Sequence, residues 1–378
     1  MKTKKMELYV HIPFCIQKCN YCDFCSFQAS KETIDTYMNQ LLREIRFWGK
    51  RLDETVISTV FIGGGTPSCI DAEYIRCLCE CIKEQFALKQ NAEISMEVNP
   101  GTVDDKKMET YYHSGINRLS FGLQSTREEE LRYLGRIHTY EDFLNSYEFA
   151  RSSGFENINI DLMSSIPKQT ITSYEETLRT TAKLKPEHIS AYSLIVEDGT
   201  PFARNPKLGQ DLPSEEEEVR MYEMTGEILG EYGYEKYEIS NYSLPGKECQ
   251  HNLGYWSLVP YLGVGLNASS YLGKKRFENP SKLQDYLQLT TFESAWQQAE
   301  VLSKEAQIEE FMFLGLRKTE GVSKKEFKET FYESMDTLYG NIIENAMEKG
   351  WMKEKNQRIS LTEQGILISN QILCEFLL

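Results

Sequence analysis

Leu8-Tyr9-Val10-His11-Ile12-Pro13-Phe14-Cys15-Ile16-Gln17-Lys18-Cys19-Asn20-Tyr21-Cys22 carries a β-branched and aromatic run straight into a loop bearing three thiols. The same unit then repeats: a strand-like run, a polar or glycine-rich loop, and an amphipathic helical pattern. Strands are expected at Leu8–Ile12, Val56–Ile62, Glu93–Val98, Arg118–Leu123, Asn157–Met163 and Ile189–Ile195. Helical patterns lie between them near Thr33–Trp48, Ala72–Phe86, Asp104–His113, Glu128–Leu134 with Tyr140–Ser152, and Ser173–Lys183. Six strand–helix repeats in one direction imply a parallel sheet, since each parallel return needs a long crossover. An α/β fold built as a partial (β/α)6 barrel is the economical answer.

Such a fold puts its chemistry at the carboxyl ends of the strands. The first strand runs into the cysteines, and the second into Gly63-Gly64-Gly65-Thr66-Pro67. The third ends at Glu97-Val98-Asn99-Pro100, the fourth at Gln124, and the fifth carries Asp161. All of these project from one rim.

After Glu197 the repeat stops, and Pro201, Pro206 and Pro213 interrupt a polar connection. Ser214 with Glu215–Glu218 reads as a helix start, where acidic residues complement the dipole. From Ser303 a separate helical block runs to a short hairpin between Trp351 and Gly365. Three regions are expected: the barrel over 1–200, an extension over 201–300, and a mainly helical, winged-helix-like domain over 301–378. That last region mixes acidic and basic residues without a basic stripe, which argues against DNA binding.

With 378 residues, more than one domain is the prior. No run of 18 apolar residues occurs, and Met1–Glu7 leads into a strand without the apolar stretch of an export signal. A cytoplasmic protein is expected. The net charge of −15 opposes nucleic acid as a partner. In a reducing compartment, clustered thiols among the ten cysteines more often bind metal than pair with each other. Cys77 and Cys81, four residues apart on one helix, read as small core residues.

Cys15, Cys19 and Cys22 sit on one short loop and can converge on one cubane. A 4Fe-4S cluster usually takes four thiolates, so three leave one iron open, the mark of a reactive metal site. A structural zinc loop with Cys25 as fourth ligand is the alternative.

The run Tyr9-Val10-His11-Ile12-Pro13-Phe14 ahead of Cys-x3-Cys-x2-Cys resembles the radical-SAM family, in its branch of oxygen-independent coproporphyrinogen III oxidases and HemW heme chaperones. The resemblance covers almost the whole chain. It implies that the open iron of the cluster chelates S-adenosylmethionine (SAM). Gly64, Gly65 and Thr66 then match the family's loop over the SAM amino group, where missing side chains let backbone approach closely. Glu97 and Asp161 would accept hydrogen bonds from ribose hydroxyls or the ammonium, and Gln124 and Arg136 would bind hydroxyl and carboxylate groups. Tyr9 matches the family's tyrosine near the cluster. The plainer readings are a rim salt bridge for Arg136 with Asp161 and a packing role for Tyr9. Tyr21 is expected to shield the cluster.

Three features separate the two branches. Phe24 stands where the oxidases resemble Cys-x3-Cys-x2-Cys-x-Cys, and only seven residues precede Leu8 where they carry a longer segment. The run His251-Asn252-Leu253-Gly254-Tyr255-Trp256 matches the HNxxYW motif of the heme-chaperone branch. A histidine beside two aromatics offers an axial imidazole and flat faces for a porphyrin. His251 is thus the expected heme ligand, with Cys249 as a thiolate alternative. The resemblance implies a heme chaperone that passes heme to an acceptor hemoprotein, expected to be respiratory, with transient membrane contact left open. Radical decarboxylation of coproporphyrinogen III is the competing function.

Overall fold

The computed structural model describes residues 4–205 and 207–378, so Met1–Thr3 and Pro206 lie outside the described residues. Six parallel strands form its centre: β1 (Lys4–Ile12), β2 (Thr55–Gly64), β3 (Ala87–Val98), β4 (Arg118–Gln124), β5 (Ile158–Ser164) and β6 (His188–Ser193). The crossovers are α1 (Lys31–Arg51), α2 (Ala72–Gln85), α3 (Asp105–His113), α4 (Glu128–Leu134) with α5 (Tyr140–Ser152), and α6 (Ile171–Lys183). Ser30, Asp71, Asp104, Thr139 and Thr170 start five of these helices by accepting an orphan backbone N–H.

Side chains alternate across a strand, and here the alternation sorts by polarity. Leu8, Val10 and Ile12, then Val60 and Ile62, Leu119 and Phe121, Ile158 and Ile160 are fully buried in one continuous core with the helices. The intervening residues, Tyr9, Phe61, Glu97, Ser120, Asp161 and Ser190 among them, interact with one another inside the barrel. A polar interior is therefore written into every other position.

The sheet does not stop at six strands. On the β6 side, β7 (Glu235–Lys236) and β8 (Asn241–Ser243) add antiparallel. On the β1 side, β9 (Tyr261–Val264) pairs parallel with β1, followed by β10 (Ser269–Leu272), β11 (Lys275–Glu278) and β12 (Glu300–Val301). The result is one twelve-stranded mixed sheet in which β1 and β6 are not neighbours, so the barrel is partial. The expected boundary near residue 200 divides no core: Met221, Ile228, Leu262, Tyr286 and Phe292 belong to the same core as Leu8 and Val60. A second core, with Ile308, Met312, Phe327, Tyr339, Ile359 and Phe376, belongs to the C-terminal region. There a helix, a short strand, two helices and a hairpin follow in order, and three strands form a separate sheet.

Between β6 and β7 lie a single turn, α7 (Leu208–Asp211), and α8 (Glu215–Glu231), which Ser214 opens in a capping box with Glu217. α9 (Gln250–Trp256) packs against β2. Cys81 is buried as expected, but its companion in the core is Cys79, because the buried stripe of α2 runs through Ile75, Leu78, Cys79 and Ile82. Cys77 instead meets Glu73 at the half-exposed side.

Candidate functional site

Backbone bonds fix the cysteine loop at both ends. Cys15 N–H donates to Phe27 O at 3.0 Å and Phe27 N–H to Pro13 O at 2.9 Å, closing its base. Asn20 donates from its backbone to Leu134 O and from its side chain to Tyr133 O, tying the tip to the end of α4. Cys15, Cys19 and Cys22 thereby face one cleft with Gly64, Gly65, Thr66, Glu97, Gln124, Arg136 and Asp161. That cleft spans about 690 Å³, counting the space open to solvent.

Among the described residues, no three Cys, His, Asp or Glu side chains converge at the spacing of one metal ion. A cubane asks for something else: each thiolate takes a different iron, so its ligands stand farther apart than those of a single ion. Three thiols on one cleft wall, none of them bridged, fit that demand. Cys25 does not complete a four-thiol site, since its Sγ turns to Ser281 O at 3.8 Å. The Cys22 thiol is pushed above its ordinary value by burial, with the Cys19 and Cys15 thiols adding to the rise.

Gly64 adopts φ +114°, and a Cβ there would fall 2.6 Å from the His11 ring. A Cβ on Gly65 would fall 2.7 Å from Phe14 O. Only glycine permits this approach. Gly64 N–H donates to Glu97 Oε2 at 3.0 Å, and Thr66 Oγ1 accepts from Asn99 Nδ2 at 2.8 Å while lying 3.5 Å from Cys15 Sγ.

Burial raises the Glu97 carboxyl to about 8, with Asp161 adding to the rise and the Gly64 bond opposing it. Burial also raises Asp161, against hydrogen bonds from Asn159, Ser190 and Ser120. Neither carboxylate forms an ion pair among the described residues, so both would be relieved by a cation in the cleft.

Arg136 does not bridge to Asp161. Its Nη2 donates to Asn99 Oδ1 at 2.7 Å and Gly122 O at 2.5 Å, and its Nη1 points at Cys19 Sγ at 3.5 Å. Its buried Nε has no partner among the described residues. Gln124 ends β4 at φ +72°, where the β4–β5 register shifts; a non-glycine residue held there stores strain of roughly 1–3 kcal/mol.

Two expected residues stand outside the cleft lining. Tyr9 lies inside the barrel, its hydroxyl 3.0 Å from His11 Nδ1 and its ring stacked on Phe61 at 6.4 Å. His251, on α9, is only 1% exposed. Its Nδ1 lies 2.8 Å from Thr59 Oγ1, and its ring stacks on Phe61 at 5.2 Å and meets Tyr255 edge-on at 4.6 Å. Burial, with Arg118 adding, lowers its pKa to about 3, and its Nε2 has no partner among the described residues. The imidazole is therefore neutral. The Thr59 hydroxyl can accept from Nδ1–H or donate to Nδ1, and in the first arrangement Nε2 carries a free lone pair. The start of α9 is held by Glu93, whose carboxylate accepts from the N–H groups of Gln250 and His251 at 3.1 and 3.2 Å.

Sequence reasoning passed over Asn99, Asn159, His188, Tyr237 and the Glu7–Thr59 pair. The signal was present in the strands: Asn159 two before Asp161 and His188 two before Ser190 continue the polar alternation.

A thiol-bearing loop after the first strand, a glycine turn after the second and buried carboxylates on later strands define the class. The Radical SAM superfamily model matches residues 9–181, and the HemN C-terminal domain model matches residues 302–368. The chain is 38% identical to the heme chaperone HemW of Bacillus subtilis (strain 168), over 98% of each chain. It is 33% identical to the heme chaperone HemW of Escherichia coli (strain K12), over 100% of this chain and 99% of that one. The chain belongs to the HemW family of radical-SAM proteins. Its fold matches that of coproporphyrinogen III oxidase (HemN) from Escherichia coli with a TM-score of 0.86, at 24% identity, covering 99% of this chain and 90% of that one. Radical-SAM membership implies a 4Fe-4S cluster and SAM. No helix among the described residues is long and apolar enough to cross a membrane.

Proposed function

We propose that this protein is a heme chaperone: it binds heme and delivers it to an acceptor hemoprotein, a respiratory one, with a 4Fe-4S cluster and SAM held in the rim cleft. The observation that carries this reading is end-to-end similarity, 38% identity over 98% of both chains, to a relative named for that role. When bound, the cluster and SAM supply one-electron radical chemistry.

The chain's own residues do the holding and orienting. Cys15, Cys19 and Cys22 take three irons. Glu97 regains its charge against the cationic nucleoside, and both Glu97 and Asp161, whose charged forms burial disfavours, accept from its ammonium and hydroxyl groups. Gly64, Gly65 and Thr66 receive the amino end, Gln124 a hydroxyl, and Arg136 the carboxylate, for which its unpartnered Nε is a ready donor. Tyr9 packs beneath this set with Phe61 and keeps water from the barrel interior.

His251 is the heme ligand. Its Nε2 has no partner among the described residues, and with Nδ1–H donating to Thr59 it would present the lone pair of a ligating imidazole. Because the ring is enclosed, α9 moves when the porphyrin enters. The test is to reconstitute the protein without oxygen and compare heme retained through dialysis with turnover of coproporphyrinogen III. Stoichiometric retention without turnover is expected, and turnover without retention overturns the proposal.

A further inference from the structure

The cofactor cleft and the His251 helix are joined by a line of hydrogen bonds through three residues that line neither site, two of them buried and the third, Tyr237, half-buried. Asn159 Nδ2 donates to Asp161 Oδ1 at 2.7 Å and to Ser120 Oγ at 2.7 Å. That orientation leaves Asn159 Oδ1 as the acceptor, and it receives Ser190 Oγ at 3.1 Å and His188 Nδ1 at 2.6 Å. The proton of His188 is therefore on Nδ1. Its Nε2 accepts from the Tyr237 hydroxyl at 2.7 Å, and Tyr237 Oη in turn accepts from Cys249 N–H at 3.2 Å. Cys249 is the residue on which α9 begins.

Every donor in this line points toward Asp161. Asn159 is 2% exposed and His188 is fully buried, so water cannot replace a bond lost between them. Burial, with Arg118 beside it, holds His188 far below its ordinary value, so it remains a neutral ring with one proton to place. The Tyr237 backbone carbonyl also accepts from Thr319 of the C-terminal region, which fixes the tyrosine at the junction of three parts of the chain.

We infer that Asn159, His188 and Tyr237 are positioning residues that orient the Asp161 carboxylate for the cationic nucleoside and couple occupancy of the cleft to the order of α9. The inference rests on the reading that Asp161 faces bound SAM. The coupling is positional. Without the Tyr237 hydroxyl, His188 Nε2 loses the donor that holds the ring, and the imidazole can tilt away from Asn159 Oδ1. Asn159 is then gripped less firmly on its acceptor side, and its amide orients Asp161 less well. A contiguous bond line with two arrangements is the physical basis for coupling, and the coupling is reciprocal.

The experiment uses the oxygen-free, cluster-reconstituted full chain with SAM as the probe. SAM affinity is read by equilibrium dialysis, and hydrogen exchange is read at the amides of residues 249–256. In the wild type, SAM slows exchange in that segment. Tyr237→Phe is expected to weaken SAM binding by about threefold to tenfold and to abolish the slowing, as loss of one part-buried hydrogen bond predicts. His188→Asn keeps an N–H for Asn159 but falls short of Tyr237. It is expected to hold SAM within about twofold of wild type while losing the slowing, a split that general destabilisation would not give. If Tyr237→Phe does not fold, His188→Asn decides alone. Variants that bind SAM as the wild type does and keep the slowing overturn the inference and leave the proposed function standing. A wild type that retains heme but binds no SAM sinks the SAM reading, and this inference with it.

Discussion

Glu97→Gln should make the protein sturdier and its cofactor site weaker at once. Without a cation beside it, the Glu97 carboxyl titrates near 8 and not near 4.5, chiefly because it is buried and secondarily because Asp161 is close. The folded chain thus holds this proton more tightly than the unfolded chain does. Its contribution to stability is greatest below about 4.5, falls as pH rises, and levels off above about 8. The full difference corresponds to at most about 5 kcal/mol. Glu97 lines a cleft open to water, so the effective dielectric is high, and about 1–2 kcal/mol is the expected yield. Glutamine has no charge to bury. Denaturant unfolding of SAM-free protein at pH 5, 6.5 and 8 should therefore show a decline in the wild type that is flatter in Glu97→Gln, with the variant more stable at pH 8. Dialysis against SAM at pH 8 should show affinity reduced at least about tenfold, since a charge-assisted contact has been lost. Equal pH slopes for the two proteins would refute the argument that this carboxylate is held charge-starved for a cationic ligand.

The other expectations are simpler to read. Cys19→Ser should lose the iron, the sulfide and the visible absorption of the reconstituted protein, whereas Cys25→Ser, whose thiol turns toward Ser281, should keep all three. His251→Ala should shift the Soret band of the heme-loaded protein; with the ring neutral above about 3, wild-type heme affinity should show no step from His251 between pH 5 and 8. An unchanged Soret spectrum removes His251 from the heme site. Gly321→Ala should destabilise the C-terminal core by about 2–4 kcal/mol, because φ is +67° and a Cβ would fall 1.9 Å from Ile359 O; thermal melting checks it.

The six central strands and their crossovers were legible because each is long enough to show its period. Glu128–Leu134 and Tyr140–Ser152 agree residue for residue with α4 and α5. The edge strands were not legible, since β7 to β12 run for two to four residues and strand alternation needs more than that to stand out. For the same reason residues 201–300 read as an appendage, although they supply both margins of the central sheet. The rim was legible because its chemistry is local: thiols, glycines and strand-end carboxylates are marked by their place in the topology. Arg136 lines the cleft, but its contacts with Asn99, Gly122 and Cys19 depend on β3, β4 and the first loop meeting, which no local pattern encodes.

His251 shows most clearly what a motif withholds. The motif identifies a histidine flanked by aromatics, and the fold sets that ring between Phe61 and Tyr255, beside a Glu7 carboxyl that burial raises to about 9. A protonated Glu7 can sit 4.0 Å from the neutral imidazole without demanding a charge from it. If Glu7 were ionised there, it would favour a protonated His251, whose imidazolium has no lone pair for a metal. The burial that conceals the histidine is therefore also what keeps its ring neutral. If His251 ligates heme as proposed above, a motion of α9 that admits the porphyrin has to expose the ring before it exposes Glu7 to water.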